Sequence, residues 1–133
     1  MRNMGIKENF TGLQHIGIPT NDIDGMISFY QIIGFETVLK TLNKEANEAV
    51  AFLKLGNLVI EAYENHNAKM IDGSINHFAV NVKSIDAAYR FICENDLNNT
   101  NDEIHYLPFW ENGVKFFTIL GPNMERIEFS QYL

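Results

Sequence analysis

Two histidines and two glutamates in this 133-residue sequence are of the residue types that bind metal ions, and their spacing repeats. His77 follows His15 by 62 positions, and Glu128 follows Glu61 by 67 positions. Imidazole nitrogen and carboxylate oxygen without thiolate sulfur suit Ni²⁺, Co²⁺, Zn²⁺, Mn²⁺ or Fe²⁺. Such a ligand set leaves coordination positions open for a substrate with two neighbouring oxygens, and therefore predicts proton transfer next to a carbonyl.

Alternation along the predicted strands places these four side chains on the sheet face that no helix covers. Successive side chains of a strand point to opposite faces of its sheet. Each candidate ligand has large apolar neighbours, which are Ile16, Ile18, Leu58, Ile60, Phe78, Val80, Ile127 and Phe129. We expect these neighbours to pack on helices and to leave His15, Glu61, His77 and Glu128 on the open face. One such residue alone would indicate an ordinary packed or solvated side chain, but the agreement of four positions favours a metal site.

The repeated spacing reflects an internal duplication of the chain. Residues 13–18 align with residues 75–80, and the same order of apolar and polar segments follows each of them. The change in spacing from 62 to 67 requires five additional residues in the second copy. We place three of them before Gly121 and two in the turn 121–123, because loops tolerate insertions.

Each copy has the pattern of one strand, one helix and three further strands. Helices are predicted after capping residues at Asn21 or Asp22 and at Ser84. The predicted strands are 13–18, 35–42, 48–55 and 58–63, then 75–82, 103–109, 114–120 and 125–131. The fold class is therefore α+β, with two tandem βαβββ modules whose curved mixed sheets form a shared metal-binding cleft. The predicted organisation is an N-terminal tail at 1–12, a first module at 13–64, a linker at 65–74 and a second module at 75–133, together one domain.

Composition excludes several classes of partner. Ten basic and seventeen acidic residues give a net charge of −7, which disfavours nucleic acid and anionic membranes. The sequence has no apolar run of membrane-spanning length and no secretory signal, so we expect a cytoplasmic protein. Its one cysteine, Cys93, is predicted to be a small buried apolar residue on the second helix. His105 is predicted at the surface or at the rim of the cleft.

Several segments resemble the vicinal oxygen chelate superfamily, which includes glyoxalase I, methylmalonyl-CoA epimerase, extradiol dioxygenases, and fosfomycin- and bleomycin-resistance proteins. The segments that carry the resemblance are HIGIPTNDID at 15–24, LVIE at 58–61, INHFAVNV at 75–82 and GPNMERIEF at 121–129. The resemblance implies paired βαβββ modules, with metal ligands on the first and last strand of each, and a family that commonly forms dimers. We therefore expect a homodimer that acts on a small molecule.

The type of residue at the four positions resembles glyoxalase I more than the other members. That resemblance implies a lyase or isomerase acting on a 2-oxo-aldehyde thiol adduct through an enediolate, with Glu128 as ligand and base and Glu61 as its mirror partner. It also implies one divalent ion, with Ni²⁺, Co²⁺ or Zn²⁺ ahead of Mn²⁺ or Fe²⁺. Fosfomycin-resistance enzymes and extradiol dioxygenases lack a ligand at the position of Glu61. The alternatives are a methylmalonyl-CoA epimerase-like isomerase and a non-catalytic protein that binds a small molecule such as an antibiotic.

Overall fold

The computed structural model describes residues 5–133, and these residues divide into two units. The first unit ends at Ala68 and the second begins at Lys69, within the segment 65–74 that was predicted as a linker. Each unit contains a four-stranded mixed sheet and a ten-residue helix, so the predicted α+β class with tandem βαβββ modules is confirmed. Within the predicted tail at 1–12, residues 1–4 lie outside the described part, and Ile6–Asn9 forms a short helix, α1, with no buried side chain.

The first unit follows the predicted order of elements. Its elements are β1 (Ile16–Thr20), α2 (Ile23–Ile32), β2 (Glu36–Asn43), β3 (Glu48–Leu55) and β4 (Leu58–Glu64). The strands lie in the order β1-β4-β3-β2, with β1 parallel to β4 and the other pairs antiparallel. The first and last strands of the module are therefore neighbours, which brings the sequence positions near His15 and Glu61 together.

The second unit repeats this arrangement. Its elements are β5 (His77–Asn81), α3 (Ile85–Glu94), β6 (His105–Leu107), β7 (Val114–Leu120) and β8 (Arg126–Tyr132). The strand order is β5-β8-β7-β6, again with one parallel pair, β5 and β8. The two sheets thus share one topology, as expected for a duplicated module.

The two longer helices begin in the same way. The side chains of Asp22 and Ser84 accept hydrogen bonds from the backbone N–H of Gly25 and Ala87, as N-caps do. The first N–H of each helix is bound by the last strand of the same unit. Ile23 N–H donates to the Glu64 carboxylate at 2.7 Å, and Ile85 N–H donates to the Gln131 side-chain oxygen at 2.8 Å.

One face of each sheet packs against the helix of its own unit. On the first helix, Met26 and Tyr30 are fully buried, and they lie on a sheet face that includes Leu53 and Ile60. The corresponding buried face of the second sheet consists of Val80, Phe117, Ile119, Ile127 and Phe129. Four of these buried residues, Ile60, Val80, Ile127 and Phe129, are apolar neighbours of candidate ligands, so the alternation puts Glu61, His77 and Glu128 on the opposite face.

Strand β6 is much shorter than the predicted strand at 103–109, because side chains replace the backbone ladder along part of β7. The Asn99 side chain bonds both the N–H and the C=O of Leu120. Thr118 N–H donates to the Asp102 carboxylate at 2.9 Å, and the Thr100 hydroxyl donates to the Thr118 carbonyl at 2.7 Å. The outer edge of β7 is therefore satisfied without a strand beside it.

Two further predictions are corrected by the structure. In the sheet register Glu61 lies opposite Phe52, and Glu128 lies opposite Thr118. Phe52 therefore corresponds to Thr118, 66 positions later, whereas Glu61 corresponds to Glu128, 67 positions later. The second copy thus has four of its five additional residues before Thr118 and one in the turn between β7 and β8, rather than the predicted three and two. Cys93 is exposed rather than buried, because it follows the last buried residue of the helix, Ile92, and so lies on the next face.

No helix of residues 5–133 has both the length and the apolar character that a membrane span requires.

Candidate metal centre

The second unit brings one predicted histidine and one predicted glutamate into direct contact. His77 begins β5 and Glu128 lies on the adjacent strand β8. The His77 Nε2 and Glu128 Oε2 atoms are 3.2 Å apart, with the two side chains 46% and 19% exposed. The buried residues Ile127 and Phe129 flank Glu128, so its side chain points away from the helix, as the alternation predicts.

The first unit places its predicted pair on one face of the sheet. Glu61 lies opposite Phe52 in the register of β3 and β4, and directly opposed residues share a face. The His15 ring contacts the Phe52 ring edge-on, with centroids 5.8 Å apart. His15 itself lies just before β1, which begins at Ile16 rather than at residue 13 as predicted. His15 and Glu61 are therefore on the open face together, at positions equivalent to those of His77 and Glu128.

The His77 and Glu128 pair has the separation expected for two ligands of one ion. Nitrogen and oxygen ligands at about 2.0–2.2 Å from a metal, placed at a right angle, are about 3 Å apart. The His77 Nδ1 atom lies 3.0 Å from the side-chain oxygen of Asn76, which can only accept a hydrogen bond. With the ring proton on Nδ1, the Nε2 lone pair would face the Glu128 carboxylate. A cation between these two acceptors satisfies both, so the donor set fits a divalent metal.

An amide residue directly precedes each histidine, and sequence reasoning did not assign it a role. Gln14 Oε1 lies 2.9 Å from His15 Nδ1, and Asn76 Oδ1 lies 3.0 Å from His77 Nδ1. The signal was visible in the repeat, because Gln14 and Asn76 occupy equivalent positions. Histidine ligands commonly donate their second ring N–H to a carbonyl or carboxylate group.

His105, predicted at the surface or at a rim, is exposed on the short strand β6 and forms a second histidine–carboxylate pair. Its Nε2 atom is 2.6 Å from Asp102 Oδ1, and its ring lies against Phe116. The Asp102 carboxylate also accepts the N–H groups of Glu103 and Thr118. Because these bonds hold the segment before β6 against β7, the pair has a structural role in the second sheet.

Within either unit, the described residues 5–133 contain no group of three or more His, Cys, Asp or Glu side chains that could hold a metal ion. Each unit instead supplies one histidine and one glutamate, on the open face of its own sheet. The four-ligand set of His15, Glu61, His77 and Glu128 therefore stays a prediction.

Comparison with known proteins identifies relatives of similar length. The chain is 29% identical over 126 residues to the uncharacterized protein YwbC of Bacillus subtilis, a match that covers 90% of this chain and 96% of YwbC. The crystal structure of a glyoxalase family protein from Enterococcus faecalis superposes with a TM-score of 0.71 at 21% identity, covering 91% of this chain and 98% of that one. These likenesses extend over nearly the whole chain, so they include both units.

A second solved structure with this fold contains a metal. It is the fosfomycin resistance protein FosX of Listeria monocytogenes, in complex with Mn(II) and a sulfate ion. Its TM-score is 0.68 at 17% identity, with 93% of this chain and 94% of that chain covered. The sequence model of the Glyoxalase/Bleomycin resistance protein/Dioxygenase superfamily matches residues 12–129, which include all four candidate ligands. The chain belongs to this superfamily.

Proposed function

We propose that this protein is a divalent-metal-dependent lyase or isomerase of the glyoxalase I type. The observation that carries the proposal is the contact between His77 Nε2 and Glu128 Oε2, together with the equivalent positions of His15 and Glu61 in the first unit. The four side chains are the ligands of one ion, whether the two pairs come from one chain or from two. The proposed substrate class is a 2-oxo-aldehyde thiol adduct.

Each proposed ligand has a distinct task. A bound divalent ion supplies Lewis acidity that makes the carbon next to a carbonyl more acidic. Glu128 takes the proton from that carbon, because its carboxylate lies on the open face and has a second oxygen that can accept a proton while the first holds the ion. Glu61 occupies the mirror position, takes up a proton from water and delivers it to the neighbouring carbon, while Glu128 releases its proton to water. His15 and His77 hold the ion through neutral imidazole nitrogen.

The type of ion is part of the proposal. Nitrogen and oxygen ligands without sulfur suit Ni²⁺, Co²⁺ and Zn²⁺, and Mn²⁺ or Fe²⁺ also fit. The presence of Mn(II) in the FosX complex supports including Mn²⁺ in any metal panel. We propose a cytoplasmic location, small-molecule substrates and no nucleic-acid partner, which agrees with the net charge of −7.

The FosX likeness favours a second candidate, an enzyme that acts on fosfomycin, and Glu61 separates it from the first. A carboxylate ligand at this position resembles the lyase pattern and is absent from the fosfomycin-resistance pattern. Glu61→Ala is therefore expected to lower the stoichiometry or affinity of Co²⁺ if the lyase proposal is correct. Unchanged Co²⁺ binding in Glu61→Ala would favour the fosfomycin type.

The central experiment combines metal analysis with a substrate panel. Protein loaded in turn with Ni²⁺, Co²⁺, Zn²⁺ and Mn²⁺ is assayed with methylglyoxal and several thiols, and in parallel with fosfomycin and an acyl-CoA epimer. We expect one metal ion for each pair of modules, which is one ion per chain, and turnover of a thiol adduct. Protein that cannot be loaded with any of these ions would refute the metal-dependent proposal and favour a binding protein.

Glu128→Gln tests the role of the base. The amide keeps an oxygen donor for the ion but removes the basicity, so we expect metal retention with a rate loss of at least about 100-fold, as is typical for a general base. Glu94→Gln is the matched control, because Glu94 is exposed at the end of α3. Full turnover by metal-loaded Glu128→Gln would show that another group moves the proton.

A further inference from the structure

The open face of the second sheet carries a histidine that is not one of the proposed metal ligands. In the register His105 lies opposite Phe116, and Phe116 lies opposite Ser130. Phe117, the next residue of β7, is fully buried on the helix face, so Phe116 and the residues opposite it lie on the open face. Glu128 precedes Ser130 by two positions and shares that face. His105 and the proposed base therefore lie on one surface of the second unit.

Asp102 determines which ring nitrogen of His105 is available to a ligand. Burial acts to raise the pKa of Asp102, but hydrogen bonds from His105, Thr118 and Glu103 leave it below the usual 3.8, so the carboxylate is ionised at neutral pH and only accepts. His105 Nε2, at 2.6 Å from Asp102 Oδ1, therefore carries a proton. Among residues 5–133 no group bonds to His105 Nδ1, and the side chain is 52% exposed. In the neutral ring Nδ1 is thus an available hydrogen-bond acceptor.

The position of His105 on the sheet gives its distance from the proposed base. Neighbouring strands are about 4.8 Å apart, and residues along a strand are about 3.4 Å apart. His105 is two strands and two positions away from Glu128, so the two Cα atoms are about 12 Å apart. The ring cannot reach a carbon held next to the Glu128 carboxylate, but it can contact the opposite end of the same bound molecule. In a 2-oxo-aldehyde thiol adduct, that end is the substituent of the thiol.

The charges on the second sheet indicate which chemical group this end carries. Lys115 alternates to the other face of β7. Arg126 lies on the open face but at the other end of β8, where its Nε is 3.4 Å from Asp72 Oδ2, which also accepts from Asn76 Nδ2 at 2.7 Å. An anionic group beside His105 would therefore meet the ionised Asp102 carboxylate, whereas a hydroxyl or amine group would meet an acceptor. The surroundings favour a hydrogen-bond donor.

We propose that His105, oriented by Asp102, is a specificity-determining residue whose Nδ1 accepts a hydrogen bond from a hydroxyl or amine group on the thiol part of the substrate. The role rests on the proposed function for the position of the substrate, and it narrows the substrate class to adducts of small thiols that carry a hydrogen-bond donor. The Phe116 ring, with its centroid 5.5 Å from that of His105, supports the imidazole from the side.

The test compares two thiols that differ in one donor. The adducts of methylglyoxal with 3-mercapto-1-propanol and with its methyl ether both present an oxygen, but only the first presents an O–H. Metal-loaded protein is assayed at pH 8, where imidazole rings in general are neutral. We expect wild-type kcat/KM to be about 3- to 10-fold higher for the hydroxyl adduct, as one neutral hydrogen bond provides, and the ratio to approach 1 in His105→Ala. A structural role alone leaves this ratio unchanged, because folding and metal loading affect both substrates equally.

Two further variants separate packing from hydrogen bonding. His105→Phe keeps a ring beside Phe116 but has no acceptor, so its ratio should fall as in His105→Ala. His66→Ala is the matched control, because His66 is an exposed histidine of the first unit outside both histidine–glutamate pairs. Its ratio should equal that of the wild type.

The outcomes distinguish this role from the proposed function. A wild type without the preference, or a preference that persists in His105→Ala and His105→Phe, would overturn the role of His105 and leave the lyase proposal standing. If neither adduct is turned over, calorimetry with the lactate thioesters of the same two thiols decides. Tighter wild-type binding of the hydroxyl thioester that is lost in both variants would support the role of His105 and refute the lyase. Equal binding of the two thioesters, or no binding, would overturn both.

Discussion

Replacing Asp102 with alanine is expected to destabilise the second unit by about 2 kcal/mol. The carboxylate, which is 23% exposed, accepts hydrogen bonds from His105, Thr118 and Glu103. His105 and Glu103 are exposed and can turn to water, so their loss costs little. Thr118 lies in β7 beyond the residues that pair with β6, so no strand replaces the carboxylate as the acceptor for its N–H. A hydrogen bond to a charged acceptor contributes about 1.5–3 kcal/mol, and Asp102→Ala removes it.

Urea denaturation measures this loss. With a slope of about 2 kcal/mol per molar urea, typical for a small protein, the Asp102→Ala midpoint falls by about 1 M. Asp102→Asn keeps an acceptor oxygen for Thr118 and should lose about half as much. Asp86→Ala is the matched control, because Asp86 is exposed in the first turn of α3 and contributes about 0.5 kcal/mol through the helix dipole. Equal midpoints for Asp102→Ala and Asp86→Ala would refute the assigned role.

The same carboxylate predicts a dependence of stability on pH. Partial burial acts to raise the pKa of Asp102, but hydrogen bonds from His105 and from the N–H groups of Thr118 and Glu103 outweigh it and leave the pKa below its usual 3.8. Since the folded-state pKa is the lower one, the stabilisation is complete above the unfolded pKa and is lost as pH falls through the folded value. The difference between wild type and Asp102→Asn should therefore be present at about pH 5 and shrink as the pH falls below 3.8. A difference that grows as the pH falls from about 5 would contradict this sign.

Two further predictions concern a turn and the assembly. Gly113 has a φ of +93°, and an added Cβ would meet the Tyr106 ring, so Gly113→Ala should destabilise by about 1–3 kcal/mol. Gly73→Ala, with nothing within 4 Å of the added atom, is its control in the same urea titration. We also expect a homodimer, because sheet edges require cover. Light scattering should then give twice the chain mass of 15.2 kDa, and a monomer at micromolar concentrations would refute it.

The parts of the fold that depend on apolar periodicity could be predicted from the sequence. Strands β3 and β7 have the predicted bounds, and the helix starts at Asp22 and Ser84 agree with the capping signals. The apolar pattern and the capping residues within these elements determine where they begin or end. The alternation argument also assigned Glu128 to the open face, because its neighbours are strongly apolar.

The errors arose where side chains take over backbone roles or where an element ends. Strand β6 was predicted too long, since nothing in the pattern shows that Asn99, Thr100 and Asp102 bond the edge of β7 through their side chains. Cys93 was predicted buried because the helical spacing was extended one residue too far. The contact of Asn76 with Asp72 depends on loop geometry, which periodicity does not report.

The way each helix begins has a consequence for the order of folding during synthesis. Ile23 N–H is bound by Glu64, 41 residues later, and Ile85 N–H is bound by Gln131, 46 residues later. The parallel pairing of β1 with β4 also waits for the last strand of its unit. Neither helix start is therefore complete until its own module has been translated. Because these contacts close within one unit, the ribosome delivers all partners of the first sheet before β5 is made.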